Sequence, residues 1–234
     1  MGTISKWAGL LGLLALLVGG DQIRINRPDH KFRLTVEVTT PAGIKTASGI
    51  LAVVPDRNYN RSGRTTMRGE AVFVDLGQGK NIVVLLAHQQ GAKLDLDDIN
   101  YVALRAYGIA RGSRVSFKDM SRQTGVVPVQ GELIPVLVSF GDPRDPKTAR
   151  LVDSGHAEAI LGDGYAIRGF SGEVVPNGFW PIDFGGALGQ PVTRGIEARL
   201  PWLDAPGETA AIALKAAGLP VAGGMEAWEA FARK

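Results

Sequence analysis

Cysteine is absent from the 234 residues. That excludes disulfides, thiolate nucleophiles and cysteine-ligated metals, and it makes folding indifferent to the redox state of the compartment. Histidine is scarce: His30, His88 and His156 are the only three, and none stands in a pattern such as HExxH. A zinc site needs three or four converging ligands, and these histidines offer no local pair to begin one. Glycine-rich stretches such as GDGYAIRG lack the GK[ST] ending of a phosphate loop, so they read as turns. Excess charge is small, +3 from 26 Lys and Arg against 23 Asp and Glu, too diffuse to imply nucleic acid. There is no internal repeat, no low-complexity linker and nothing that implies a cofactor.

What is present begins with WAGLLGLLALLVGGDQ, Trp7 to Gln22, with no charge between Lys6 and Asp21. The 14 residues from Trp7 to Gly20 are apolar on every face. As a helix they reach about 21 Å at about 1.5 Å per residue, short of a hydrocarbon core about 30 Å thick. Lys6, the apolar run and the small residues Val18 and Gly20 fit a secretory signal cut before Asp21. Retention as an anchor stays open if Met1 to Ser5 lengthen the span. Residues 1–20 are therefore expected to be a signal peptide or an N-terminal hydrophobic helix. A buried core helix is disfavoured because the run has no amphipathic spacing.

The body of the chain carries strand signals. KFRLTVEVTT alternates Phe32, Leu34, Val36 and Val38 with polar residues, and IKTASGILAVV returns after the turn at Pro41 to Gly43. Ala71 to Leu76 and Asn81 to Ala87 flank the hairpin turn Gly77-Gln78-Gly79-Lys80, and IVVLLA, apolar on both faces, reads as a central strand. Helical spacing and leading aspartates predict a helix from about Asp95 to Tyr107, stopped at Gly108. Further strands are expected at Arg114 to Lys118, Leu133 to Phe140 and Tyr165 to Val175. Asp145 before Pro146 suggests a short helix through Leu151, and Glu208 to Ala217 and Met225 to Lys234 suggest two more. The expected fold is α+β, predominantly antiparallel β as hairpins, a sandwich or a partly open barrel, with a few helices. A β-rich domain over residues 31–203 precedes a helical tail over 204–234.

Four arginines concentrate in RNYNRSGRTTMR: Arg57, Arg61, Arg64 and Arg68. They could hold an anionic partner such as lipid headgroups or an acidic polymer; equally, they could line a solvated connection between strands. In RGIEARLPWL, Arg194, Arg199 and Trp202 could dock a partner, while Ile196, Leu200, Trp202 and Leu203 could clasp the sheet. An enzyme of hydrolase type would have to use His88 or His156, the latter beside Asp153 and Ser154, yet no GxSxG elbow is present. Asp142, Asp145 and Asp153 could be imagined around calcium, but DPRDP is better explained by turn-closing and capping aspartates.

FRLTVEVTTPAGIKTASG, GEAVFVDLG, LVSFGDPRDPKTARLVD and TRGIEARLPWL together resemble an uncharacterised group of proteobacterial proteins that often carry signal-like or lipoprotein-like leaders. The resemblance covers roughly residues 31–203. It implies a shared fold and an envelope location, and supplies no catalytic residues. LLVGG is similar to the end of a lipoprotein signal, but glycine stands at position 20 where such a signal has its cysteine. AAGLPVAGGMEAWEAF resembles the C-terminal turn and helix of rhodanese-like domains, whose chemistry needs a cysteine that this chain lacks. The sequence thus leads to an exported or membrane-anchored envelope protein, periplasmic or held in the inner membrane facing the periplasm. It is expected to be a non-catalytic binding or accessory component with a membrane, a protein or an anionic envelope component as partner. A hydrolase and a structural subunit of a membrane assembly are the alternatives.

Overall fold

A computed structural model describes residues 18–20, 25–57, 64–91, 93–178, 189–204, 207–219 and 224–233. The fold is α+β with mostly antiparallel sheets. Of the leader expected over residues 1–20, residues 1–17 lie outside the described residues, and among the described residues no helix is long and apolar enough to cross a membrane.

Alternation in KFRLTVEVTT produces strand β1, His30–Thr40, with Phe32, Leu34, Val36 and Val38 wholly buried on one face. It pairs along its length with β2, Gly43–Val54. Four further strands, β3 (Thr66–Glu70), β8 (Val126–Val129), β11 (Ala166–Val175) and β12 (Ala232–Arg233), complete a six-stranded sheet in the order β12-β3-β2-β1-β11-β8. Strands β4 (Val72–Gly77), β5 (Lys80–Val84), β9 (Leu137–Phe140) and β10 (Ala149–Val152) form a second sheet in the order β10-β9-β5-β4. A two-stranded ribbon, β6 (His88–Gln90) with β7 (Lys93–Asp95), follows β5.

The apolar run IVVLLA explains the layering. Its alternate residues serve two cores: Ile82, Val84 and Leu86 face the six-stranded sheet, and Val83, Leu85 and Ala87 face the opposite way. Period two in a run apolar on both faces thus produces a strand buried on both sides. Helix α1, Val102–Arg111, closes the first core with Val102, Ala103, Ala106 and Tyr107. The second core is covered by residues 196–203 and by helices α3 (Glu208–Ala216) and α4 (Gly224–Glu229). The described residues from 208 onward are therefore built into the body, with Phe231 fully buried and Leu86 N–H donating to Ala230 O.

The helix expected from Asp95 to Tyr107 is displaced. Asp95 ends β7 and its carboxylate accepts the N–H groups of Asp97 and Asp98; a 3-10 turn, Asp98–Tyr101, leads into α1, which runs past Gly108 to a left-handed cap at Gly112. The strand expected at Arg114 to Lys118 is instead an approach to the one-turn helix α2, Phe117–Met120, with Met120 buried. At Asp145 the cap is real, its carboxylate accepting from Lys147 N–H, but the turn ends at Thr148. Pairing of Ala149 with Phe140 then draws the chain into β10, so cross-strand contact overrides the local helix signal.

Polar side chains finish ladders that backbone alone leaves open. Asn81 donates to Phe140 O at 2.8 Å and accepts from Phe140 N–H at 2.9 Å. Tyr107 hydroxyl donates to Gly125 O and accepts from Val174 N–H at 3.0 Å, tying α1 to the end of β11. Arg233, nearly all buried, donates to Glu229 O, Asn100 Oδ1, Leu86 O and Leu96 O. Burial lowers its pKa to about 10.

Strand β3 leaves one sheet and becomes β4 of the other across a single residue, Ala71. Gly69 makes the approach possible. Its φ is +141°, and a Cβ there would stand 2.5 Å from Leu51 Cδ2 and 3.3 Å from Ile50 O. The Gly69→Ala variant is expected to lose about 2–4 kcal/mol of stability from backbone strain and overpacking together, measured by denaturant unfolding.

Candidate functional site

One end of the six-stranded sheet gathers the first turn of β1, the last residues of β2 and the start of β3, because His30 pairs with Val53 and Val54 with Thr66. Residues 25–29 lie here, ahead of β1, fixed by Asp29 N–H to Val53 O at 2.8 Å. Arg57 donates to Arg27 O and lies 3.5 Å from the Asp29 carboxylate. Arg68 donates to Asn26 O at 3.2 Å and Asn26 Oδ1 at 3.4 Å. Two of the four expected arginines thus hold the chain just ahead of β1. Burial, with nearby Arg194, lowers the Arg68 pKa.

The other two stand apart. Arg64 pairs with Asp97 and lies 3.9 Å from Glu229. Arg61 lies outside the described residues. Arg68 also belongs to a strand rather than a loop, because its neighbours Met67 and Gly69 are drawn into the sheet opposite Val53 and Leu51. The arginine cluster of the sequence is therefore split in space between Arg57 and Arg68 on one side and Arg64 on the other.

The segment TRGIEARLPWL is woven into the fold. Thr193 exchanges two bonds with Ile50: its N–H donates to Ile50 O at 3.0 Å and its Oγ1 accepts from Ile50 N–H at 2.7 Å. Arg194 donates to Arg233 O at 3.1 Å and lies 3.8 Å from Glu70. Buried Glu70 accepts from Ile196 N–H at 2.7 Å; burial, the largest cause, raises its pKa. Arg199 stacks over the Phe73 ring, 5.7 Å to the centroid. Trp202, 9% exposed, donates to Pro143 O and meets the rings of Phe140 and Phe231. Arg194 and Trp202 are thus engaged inside this chain, and Arg199 covers an aromatic face.

His88 is 3% exposed. Its Nε2 lies 2.9 Å from Leu133 O, and since a carbonyl only accepts, Nε2 carries the proton. Its Nδ1 is buried with no hydrogen-bond partner, and burial lowers its pKa. His156 is exposed on a turn, with Nδ1 2.9 Å from Asp153 Oδ2. Asp153 and Ser154 line a cavity of about 430 Å³ together with Glu132 and Gln89. Among the described residues no serine or threonine hydroxyl donates to either ring, and no group of three or more His, Asp or Glu is placed to hold a metal ion. His30, buried beside Asp29 and the rings of Phe32 and Phe117, has an unpartnered Nε2.

Sequence reasoning missed Glu70, Asn100 and Arg233, whose partners are up to 147 residues away. The only available signal was an acid or a base next to apolar strand residues. The Asp153–His156 pair gives a direct test. Asp153 raises the His156 pKa above its ordinary 6.5, and His156 lowers that of Asp153 below 3.8. The histidine contribution to stability is fully present below pH 6.5 and fades as pH rises through the raised folded value. The aspartate contribution is present above pH 3.8 and fades as pH falls through the lowered one. NMR titration is expected to find the His156 pKa above 6.5, and Asp153→Asn is expected to return it toward that value.

Against known proteins, no family model matches the chain, no curated protein matches it, and no solved structure matches its fold.

Proposed function

We propose that the chain is an exported or membrane-anchored envelope protein that acts as a non-catalytic binding or accessory component. The observation that carries this reading is the tie between the basic residues Arg57 and Arg68 and the backbone of Asn26 and Arg27. An apolar leader that cannot remain in water is followed within a few residues by a folded domain whose arginines stand at its point of entry. Such an arrangement suits a domain held close to an anionic leaflet, where each basic group contributes about 1 kcal/mol. The leader takes the chain to the bilayer, and N-terminal helix, signal cleavage and periplasmic exposure all belong to this proposal.

The test is fractionation of cells making the full chain, with mass analysis of the purified N-terminus. Membrane or periplasmic recovery is expected, beginning either near Met1 or at Asp21. A cytosolic protein with its N-terminus intact would sink the reading. A hydrolase is the second reading, favoured by one observation, the Asp153–His156 pair beside Ser154 at the rim of the cavity. It requires Ser154 to become a nucleophile during turnover. Covalent labelling of Ser154 by a fluorophosphonate would support it, and an unmodified chain after saturating reagent would remove it.

A further inference from the structure

We infer that the folded domain itself rests on an anionic phospholipid surface through the end that bears Arg27, Arg57, Lys118 and Arg122. This rests on the reading of the leader as a membrane segment, and adds to it a second contact that fixes how the domain stands.

Three pieces of chain converge there. Residues 25–29 enter from the leader; Arg57 holds that entry; and α2 packs against it through Phe117, whose ring centroid is 6.2 Å from that of His30. The turn after α2 is held at the same end by the Tyr107 hydroxyl, bonded to Gly125 O and to Val174 N–H near the close of β11. Arg27, Lys118 and Arg122 are exposed, as is Val126, at 65%, an apolar residue at the edge of the sheet. Charged groups with an adjacent exposed aliphatic side chain match the headgroup layer and the start of the acyl region.

Charge is distributed to suit. The described residues of 25–29, 55–57, 65–68 and 116–126 hold five Arg and Lys (27, 57, 68, 118 and 122) against three Asp (29, 56 and 119). That excess of two is most of the +3 of the entire chain. The acids here are engaged: Asp29 with His30 and Arg57, and Asp119 with Ser116 and, at 3.8 Å, Arg122. A chain already tethered by its leader needs only a modest attraction, since tethering turns docking into an intramolecular step.

The absence of cysteine makes the test clean, because one introduced thiol is the only labelling site. Thr124→Cys places a fluorophore at the proposed contact end. Ile44→Cys places one beside the β1–β2 turn, about 30 Å away along the nine steps from His30 to Thr39, its partner, at about 3.3 Å each. Full-length protein is reconstituted with vesicles of phosphatidylcholine, or of phosphatidylcholine with phosphatidylglycerol, each containing a headgroup nitroxide quencher. Quenching at position 124 above that at position 44, on the anionic vesicles only and reversed by salt, is the expected result. In that background Arg27→Gln, Lys118→Gln and Arg122→Gln should each lower the docked-to-undocked ratio about fivefold. Equal quenching at the two positions, or the same quenching on both lipid mixtures, overturns docking while co-flotation with both mixtures upholds the leader. Flotation with neither mixture overturns both; flotation with the anionic one alone overturns insertion and supports docking.

Discussion

The crossing from Gly69 to Ala71 is the constraint on which the two-sheet arrangement turns. Strands β3 and β4 are one length of chain, and the sheet it serves changes within a residue. Around that point lie contacts that would otherwise have no reason to coincide: Ala71 N–H donates to Phe231 O, the Glu70 carboxylate accepts from Ile196 N–H, and Ala232 pairs with Glu70. Where β3 departs, Thr193 takes over the edge of β2 that it vacates. Both cores and the loop at 193–203 are thereby referred to three consecutive residues. Placing a carboxylate in such a position is costly unless it is hydrogen-bonded, and Glu70 is.

Local pattern made much of this architecture legible. Strict alternation announced β1, and glycines with a positive φ at Gly77 and Gly79 closed the β4–β5 turn, Gln78 following them into the left-handed region. The doubly apolar IVVLLA proved to be an interior strand, as its composition implied. Failures came where a cross-strand partner outweighed a local signal. Residues 149–152 follow a helix-cap pattern but lie opposite Phe140, and VVPV, with a proline inside, is a strand because an edge position tolerates the missing N–H.

The site was less legible than the fold, and for a physical reason. RNYNRSGRTTMR reads as one basic loop in sequence, but β-pairing pulls Arg68 into a strand and Asp97 draws Arg64 away from Arg57. What the arginines share is the residues that receive them, Asn26 and Arg27, which carry no motif at all. TRGIEARLPWL shows the converse: its distinctive spelling reflects how many parts of the fold it must satisfy simultaneously. Thr193, Arg194, Ile196 and Trp202 each answer to a different partner, on β2, β12, β3 and the Asp142–Asp145 turn region.

The pairing of β12 with β3 joins residues about 160 positions apart. During synthesis at roughly 5–20 residues per second, β3 waits some ten to thirty seconds for that neighbour. Until it arrives, Phe231 is missing from the second core, and the carbonyls of Leu86 and Leu96 lack the guanidinium of Arg233. The order of synthesis therefore makes these the last contacts of the body to close.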